Sequence, residues 1–180
     1  MNKIYTHKGL NELPKYIPQS SGVFVIIDNN LKPYYGKYFK MFPVIEINTS
    51  ENNKTLSIVQ FILERLLKLD ADRNCFIIGV GGGITTDIAG FAASIYKRGV
   101  KFGFVPTTLL AQVDASIGGK NGVNFHSYKN IIGTITQPEW IYICSDVLQT
   151  LHSREFKAGI AEVLKTFILF DKEYYKKGVD

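Results

Sequence analysis

The sequence predicts an α/β fold, a Rossmann-like and mostly parallel sheet with helices on both of its faces. Short β-branched runs alternate with longer segments of helical periodicity, an order typical of parallel sheets. One buried run continues directly into glycines, as a tight strand-to-helix turn requires. The 180 residues, 46% of them apolar, are enough for one ordinary domain with a core and few for two.

The elements follow in a regular order along the chain. Strands are predicted where β-branched and aromatic residues cluster between turn residues, at 22–28, 42–47, 75–83, 101–108 and 140–144. Helices are predicted where apolar residues recur at helical spacing, at 53–69, 86–99, 109–117 and 153–177. Residues 117–139, rich in Gly, Asn and Lys, are predicted to form a long irregular loop, and such loops often carry function.

Composition and charge exclude several classes of protein. The net charge is +5 but Lys and Arg are scattered, so we expect a small anionic ligand and no nucleic acid. No apolar run reaches the ~18 to 20 residues of a membrane span, so we expect no membrane partner. The N-terminus lacks an apolar signal core, and Cys75 and Cys144 lie in apolar runs as buried thiols. We therefore expect a cytoplasmic protein.

The sharpest local feature is GVGGGITTD, residues 79–87. Glycines between a buried strand and a helix let the backbone approach a ligand closely and aim N–H groups at a phosphate. The alternative is a plain tight turn. The spacing is not the dinucleotide fingerprint, because Ile84 stands at the sixth position, and it is not a Walker loop. Asp87 stands where it would either cap the helix or serve in catalysis.

A second polar cluster surrounds two adjacent glycines within residues 106–130. It consists of Asp114, Lys120, Asn124, Lys129 and Asn130. These groups suit a polyhydroxylated anion, because lysines pair with phosphate or carboxylate and amides with hydroxyls. The alternative is a solvated polar loop. The three histidines have no spacing typical of a metal site.

Several motifs in order carry a resemblance to a known family. They are VIIDNNL, SENNKT, GGGITTDIAGFAASIYKRG, VPTTLLAQVDASIGGKNGVN, KNIIGTITQP and LQTLHSREFKAGIAEVLK. In these motifs the chain resembles 3-dehydroquinate synthase over nearly its whole length. The resemblance implies an NAD-binding α/β domain over residues 1–150. It also implies that residues 151–180 are the first helix of a helical domain otherwise missing from this chain, with zinc or cobalt between the two.

The resemblance also implies a reaction. The family converts 3-deoxy-D-arabino-heptulosonate 7-phosphate to 3-dehydroquinate and phosphate. A ring hydroxyl is oxidised to a ketone at the expense of NAD⁺, which acidifies the neighbouring C–H so that phosphate leaves by elimination. The ketone is then reduced, the ring opens, and an intramolecular aldol reaction closes the carbocycle. A sugar-phosphate substrate, recycled NAD and a homodimer are therefore expected.

The family's site residues are carried over onto matching positions of this sequence. On the cofactor side the resemblance implies Asp28, Asn30, Glu51, Lys54, Gly82, Gly83, Ile84, Asp87, Thr107, Thr108, Leu110, Lys120, Lys129 and Thr150. Around the substrate it implies Asp114, Lys120, Lys129, Asn130, Lys165 and Arg98. Arg98 would reach the substrate phosphate of a neighbouring subunit, and Glu162 would be a zinc ligand.

The sequence departs from the family pattern at a few places. Thr86 stands where Gly is usual, Ser50 precedes Glu51 in place of Gly, Phe125 replaces a frequent His, and KTFIL replaces Lys-Tyr-Gly. A catalytic zinc site normally takes three protein ligands, and no histidine follows Glu162. We therefore expect a fragment with an incomplete metal site, weak NAD binding and little or no turnover.

Other interpretations remain open from the sequence. A related sugar-phosphate cyclase would share most of these motifs, whereas an alcohol dehydrogenase of similar fold would have no use for Lys120, Lys129 and Asn130. A non-catalytic nucleotide-binding or assembly module would expose apolar surface. In the helix over residues 157–170, Glu162 and Lys165 share a face, where a plain ion pair would contribute a few tenths of a kcal/mol.

Overall fold

A parallel sheet forms the centre of the computed structural model, which describes residues 3–19 and 22–179. In chain order the strands are β1 (Lys3–His7), β2 (Val23–Asp28), β3 (Val44–Ile47), β4 (Phe76–Gly81), β5 (Lys101–Pro106), β6 (Lys120–Phe125), β7 (Tyr128–Ile135) and β8 (Trp140–Cys144). Six of them form one parallel sheet in the order β1-β8-β5-β4-β2-β3, while β6 and β7 form a separate antiparallel hairpin. The predicted fold class is confirmed.

Helices connect the strands and follow the last of them. They are α1 (Lys32–Tyr35), α2 (Leu56–Lys68), α3 (Gly83–Ile95), α4 (Ser153–Phe170) and α5 (Lys172–Val179). Short 3₁₀ segments and one π-helical turn, Ala111–Ala115, complete the connections.

The strand order creates a crevice at one edge of the sheet. From β2 the chain moves outward to β3, then crosses back so that β4 lies on the other side of β2. In open parallel sheets, ligands bind outside the carboxyl ends of the strands at such a reversal. The residues that follow β2 and β4 therefore flank the expected ligand site.

Alternate residues of each strand feed a core on each face of the sheet. Phe24 and Ile26 of β2 join one cluster with α2 and α3, whereas Val25 and Ile27 join another with the turn at residues 10–16. Burial on both faces explains why the central strands are continuous apolar runs. Strand β1 lies at the sheet edge and is mostly exposed, which is why its mixed sequence gave no strand signal.

The prediction of an irregular loop over residues 117–139 is wrong. The segment contains the β6–β7 hairpin, and β6 packs against α3. The buried Asn121 side chain closes the base of the hairpin by donating to the carbonyls of Gly119 (2.8 Å) and Thr136 (2.9 Å). Its polar composition hid the hairpin, because β7 is largely exposed and lacks a buried face.

Three predicted helix boundaries also differ from the structure. Helix α3 begins at Gly83 rather than residue 86, and the predicted helix at 109–117 is reduced to the π-helical turn. The single helix predicted over 153–177 is broken at Asp171, whose extended backbone ends α4. The Asp171 carboxylate accepts hydrogen bonds from Glu173 N (3.1 Å) and Tyr174 N (3.2 Å), which caps α5.

Two further features concern the cysteines and the length of the apolar helices. Cys75 and Cys144 are free and buried, as predicted, and burial raises the pKa of each thiol to about 11. Within residues 3–19 and 22–179, no helix combines the length and the apolar character needed to cross a membrane.

The contact between α3 and the hairpin can be tested at Gly90. A Cβ there would collide with the amide of Asn121 and lie 3.0 Å from Phe104 Cζ, and Asn121 is held by its two carbonyl partners. Helix propensity favours Ala over Gly by about 1 kcal/mol. We expect overpacking to outweigh this gain, so that Gly90→Ala lowers the free energy of unfolding by about 1 to 2 kcal/mol in urea titrations. Gly22→Ala is the control, because its Cβ would meet only Phe24 at ordinary distance.

Candidate nucleotide and anion site

The glycine turn after β4 opens the N-terminus of α3 toward the crevice. Gly82 is the N-cap residue, and the first backbone bond of the helix runs from Thr86 N to Gly82 O at 3.0 Å. The N–H groups before Thr86 therefore have no acceptor within the helix and can donate hydrogen bonds to an anion. A Cβ on Gly82 would lie 2.9 Å from Thr108 Cγ2, so glycine keeps the turn close to the segment after β5.

The carboxylate of Asp28 is held at the end of β2, on the other side of the crevice. Its Oδ1 accepts from the backbone N of Asn30 at 2.9 Å, and its Oδ2 accepts from the hydroxyl of Thr49. Thr49 follows β3, so one carboxylate joins two strand ends. This arrangement fixes an acceptor where a ribose hydroxyl can donate.

A buried ammonium group joins the segment after β3 to α3 and to β7. Lys54 is only 5% exposed, and its Nζ contacts the carboxylate of Asp87 and the Oδ1 of Asn130, the latter at 2.5 Å. A buried charge needs such partners, because its desolvation costs several kcal/mol. The structure thus directs the Lys54 ammonium to two protein groups.

Asp87 is an ion-pair partner and not the helix cap. It lies within the second turn of α3, because the helix begins at Gly83 and not at residue 86 as predicted. Burial raises the pKa of the Asp87 carboxyl, and the Lys54 ammonium opposes that rise. Asp87 also lines the neighbouring cavity, so its carboxyl is placed between the glycine turn and the β6–β7 hairpin.

Glu51 is the centre of a second polar group on the same side. Its Oε1 accepts from Asn124 Nδ2 at 3.0 Å and lies 3.2 Å from Lys129 Nζ. The hydrogen bond from Asn124, aided by Lys129, lowers the pKa of the Glu51 carboxyl. Lys129 therefore faces the Glu51 loop, beside the predicted cofactor residues.

A cavity of about 470 Å³, the anion cavity, brings together three of the six predicted substrate residues. Asp114 from the π-helical turn, Lys120 from the start of β6 and Asn130 from β7 all line it, together with Asp87. Their positions in the sequence do not predict how close these side chains lie to one another. The β6–β7 hairpin brings Lys120 and Asn130 to the same cavity as Asp114. The Lys120 ammonium can pair with an anionic group, and the carboxylates and the amide can bond to hydroxyl groups, so the lining suits a hydroxylated ligand that carries an anionic group.

The remaining predicted cofactor residues lie along the carboxyl edge of the sheet. Thr107 is buried and its N–H donates to Gly81 O at 2.9 Å, while Thr108 Oγ1 accepts from Ala111 N at 3.1 Å. Ile84 packs its side chain against the core, so only its backbone is offered to a ligand. Thr150 lies after β8, where its hydroxyl is bonded to Tyr35 at 2.8 Å.

Helix α4 packs against the segment that follows β5. A Cβ on Gly159 would lie 2.8 Å from the backbone N of Leu110, so α4 packs tightly against this segment. Glu162 and Lys165 form an ion pair, and the hydrogen bond from Lys165 to Glu162 raises the lysine's pKa, with a smaller contribution from Asp114. Lys165 does not itself line the cavity, and its connection to the site is this interaction with Asp114.

The described residues do not fit a metal ion. Across residues 3–19 and 22–179, no three His, Cys, Asp or Glu side chains are grouped as ligands. Glu162 is paired with Lys165 instead. A zinc site would need ligands beyond those that the structure describes.

Arg98 is a predicted substrate residue that lies away from the anion cavity. It follows the far end of α3 and lines a separate cavity with Arg73, Cys75 and Lys101, which lie where β4 and β5 begin. Because parallel strands begin at the edge opposite to their carboxyl ends, Arg98 is remote from Asn130 within one chain.

The structure also assigns roles that the sequence did not suggest. Thr49 orders Asp28, and Tyr35 fixes Thr150. Asn124 was expected to offer its amide to a ligand, but its amide bonds to protein groups. No local sequence signal separates these uses, because each depends on a partner many residues away.

The comparisons with known proteins agree with this geometry. The N-terminal region of 3-dehydroquinate synthase, as a family, matches residues 44–158. A 3-dehydroquinate synthase of Campylobacter fetus subsp. fetus is 46% identical over 148 residues, 79% of this chain and 43% of its own length.

Solved structures of two related enzymes also superpose well. The 2-epi-5-epi-valiolone synthase of Streptomyces hygroscopicus subsp. jinggangensis, with NAD⁺ and Zn²⁺ bound, has a TM-score of 0.84 and 29% identity, covering 92% of this chain and 49% of its own. A 2-deoxy-scyllo-inosose synthase complexed with carbaglucose-6-phosphate, NAD⁺ and Co²⁺ has a TM-score of 0.81 and 32% identity, covering 90% and 48%.

Fold and site together define an α/β domain with a glycine turn and an anion cavity at the carboxyl edge of a parallel sheet. The chain belongs to the 3-dehydroquinate synthase family, in its N-terminal region. It spans less than half the length of the Campylobacter relative and of the two superposed enzymes.

The buried ion pair gives a prediction about stability. Lys54→Met leaves the Asp87 carboxylate without its counter-charge, and we expect the free energy of unfolding to fall by about 3 kcal/mol at neutral pH. The control is Lys15→Met, which removes an exposed pair with Glu12 and should leave the urea midpoint unchanged.

The same variant has an expected pH dependence. Because the native pKa of Asp87 lies above its ordinary 3.8, its contribution to stability is present below pH 3.8 and is lost as the pH rises through the native pKa. Without Lys54 the native pKa rises further, so the destabilisation should shrink on acidification. A destabilisation that grows as the pH falls would contradict this assignment.

Proposed function

We propose that this chain is the nucleotide-binding part of a 3-dehydroquinate synthase. The reaction is that of a carbon–oxygen lyase, in which 3-deoxy-D-arabino-heptulosonate 7-phosphate loses phosphate and closes to 3-dehydroquinate. One observation carries the proposal, the convergence of Asp114, Lys120 and Asn130 on one cavity beside the glycine turn. Membership of the family supports it.

The residues at the carboxyl edge of the sheet fit a dinucleotide. The Asp28 carboxylate would accept from a ribose hydroxyl, and the N–H groups at Gly83 and Ile84 would donate to the pyrophosphate. Thr108 and Leu110 would form the wall between the cofactor and α4. When bound, NAD⁺ supplies a hydride acceptor for a substrate hydroxyl and returns the hydride later in the reaction.

The cavity residues would bind and orient the substrate. The Lys120 ammonium would pair with an anionic group of the sugar phosphate. Because Lys54 uses the Oδ1 of Asn130, the Nδ2 group is the donor that this residue offers to a hydroxyl. Asp114 and Lys165 would complete the site from the side of α4.

Turnover by this chain alone should be low. The described residues supply Glu162 but no set of ligands for the zinc or cobalt that the superposed enzymes bind. Arg98 would serve a neighbouring copy in a homodimer, because it is remote from the cavity of its own chain. The two buried, unpaired thiols suit a reducing compartment such as the cytoplasm.

A second candidate is another sugar-phosphate cyclase. The superposed enzymes that form 2-epi-5-epi-valiolone and 2-deoxy-scyllo-inosose share the fold at 29% and 32% identity, so fold alone does not select the substrate. The 46% identity to a 3-dehydroquinate synthase favours the first candidate.

Calorimetric titration with NAD⁺ tests the cofactor site. We expect the wild-type chain to bind NAD⁺, and Asp28→Ala to raise the Kd about tenfold or more, because a charged acceptor is lost. Asn29→Ala is the matched control, since Asn29 is the exposed neighbour of Asp28. No NAD⁺ binding by a stable oligomer would favour an assembly module instead.

Phosphate release tests the substrate. The chain, with Zn²⁺ added, would be assayed on 3-deoxy-D-arabino-heptulosonate 7-phosphate and on other heptulose and hexose phosphates. We expect at most slow release, and only from the heptulosonate. Rapid turnover would contradict the incomplete site, and release from a hexose phosphate alone would favour the second candidate.

A further inference from the structure

The hydrogen bonds around Asn124 form a closed ring between the two halves of the site. Asn124 Nδ2 donates to Glu51 Oε1 at 3.0 Å, and Asn124 Oδ1 accepts from Asn130 N at 2.9 Å. Asn130 Oδ1 accepts from Lys54 Nζ at 2.5 Å, and Lys54 is one 3₁₀ turn beyond Glu51. The ring thus joins predicted cofactor residues to a predicted substrate residue.

The backbone of Asn124 explains why its side chain reaches both partners. The register between β6 and β7 shifts between Val123 and Phe125, so Asn124 has no partner residue across the hairpin. It pairs with Thr55 instead, and its N–H donates to Lys54 O at 2.8 Å. A bulge of this kind re-aims a side chain, as often occurs beside functional sites.

Asn130 needs this support because its backbone is in the left-handed region, with φ of 53°. Such a conformation costs energy for a residue other than glycine and persists only when neighbours hold it. The bond from Asn130 N to Asn124 Oδ1 is one restraint, and the bond from Lys54 to its side chain is the other. Together they fix the direction of the Asn130 side chain at the cavity.

We propose that Asn124 is a positioning residue, which holds Asn130 toward the substrate cavity and Glu51 toward the cofactor through one side-chain amide. The ligand assignments on either side rest on the proposed function. An amide is required because Asn130 presents a donor and Glu51 an acceptor, so neither a carboxylate nor an ammonium at position 124 satisfies both.

Two substitutions separate the two halves of this role. Asn124→Ala removes both hydrogen bonds. Asn124→Asp keeps an oxygen for the Asn130 N–H but sets a second carboxylate against Glu51, which also faces Lys129 and Lys54. Asn74→Ala is the control, because Asn74 is exposed and lies before β4 at the opposite edge of the sheet.

Amide hydrogen exchange and NAD⁺ titration on the whole chain provide the readouts. In Asn124→Ala we expect exchange at the Asn130 N–H to accelerate about tenfold or more, and the Kd for NAD⁺ to rise about tenfold. In Asn124→Asp we expect protection at Asn130 to persist and the NMR-detected pKa of Glu51 to rise. Asn74→Ala should match the wild type in every readout.

The outcomes distinguish this proposal from the proposed function. Wild-type exchange at Asn130 in Asn124→Ala would overturn the positioning role, whatever the affinity for NAD⁺. If the wild type binds no NAD⁺, the proposed function fails, while Asn130 exchange and Glu51 titration still decide the role of Asn124. If Asn124→Ala does not fold, Asn124→Asp decides, since an unchanged Glu51 pKa there overturns the proposal.

Discussion

The buried ammonium of Lys54 is the constraint on which the rest of the site depends. It lies between the carboxylate of Asp87 on α3 and the amide of Asn130 on β7, and both partners line the anion cavity. Desolvation makes an unpaired ammonium costly at this depth, so the three groups must stay together for the fold to be stable. This interaction thereby ties the hairpin to α3, in addition to the packing of β6, and shapes the wall of the cavity.

The same part of the structure places the proposed cofactor-binding groups beside the proposed substrate-binding groups. The glycine turn and Asp28 lie on either side of the crevice where the strand order reverses, and the hairpin adds Lys120 to the lining of the cavity. Hydride transfer requires the cofactor and the reacting carbon to be in contact, which groups on separate rigid elements can ensure. The hydrogen-bonded ring through Asn124 connects the hairpin to the segment that follows β3.

The sequence was informative where burial decides the structure and silent where long-range pairing does. Continuous apolar runs located β2, β4, β5 and β8, because both faces of those strands are covered. The β6–β7 hairpin is an exception, because its pairing is local, but many of its residues are polar and β7 has no buried face that would give an apolar pattern. Motif resemblance supplied the candidate site residues, but it could not reveal that Lys54 bonds to Asp87 or that Arg98 lies at the other edge.

We propose that NAD⁺ binds in the crevice between β2 and β4, beside the anion cavity. Chemical-shift mapping of the ¹⁵N-labelled chain during titration with NAD⁺ tests it most directly, because each backbone N–H reports its own surroundings. We expect the largest changes at residues 28–30, 82–85 and 107–110. Changes confined to the opposite edge of the sheet, near residues 73–75 and 98–101, would contradict it.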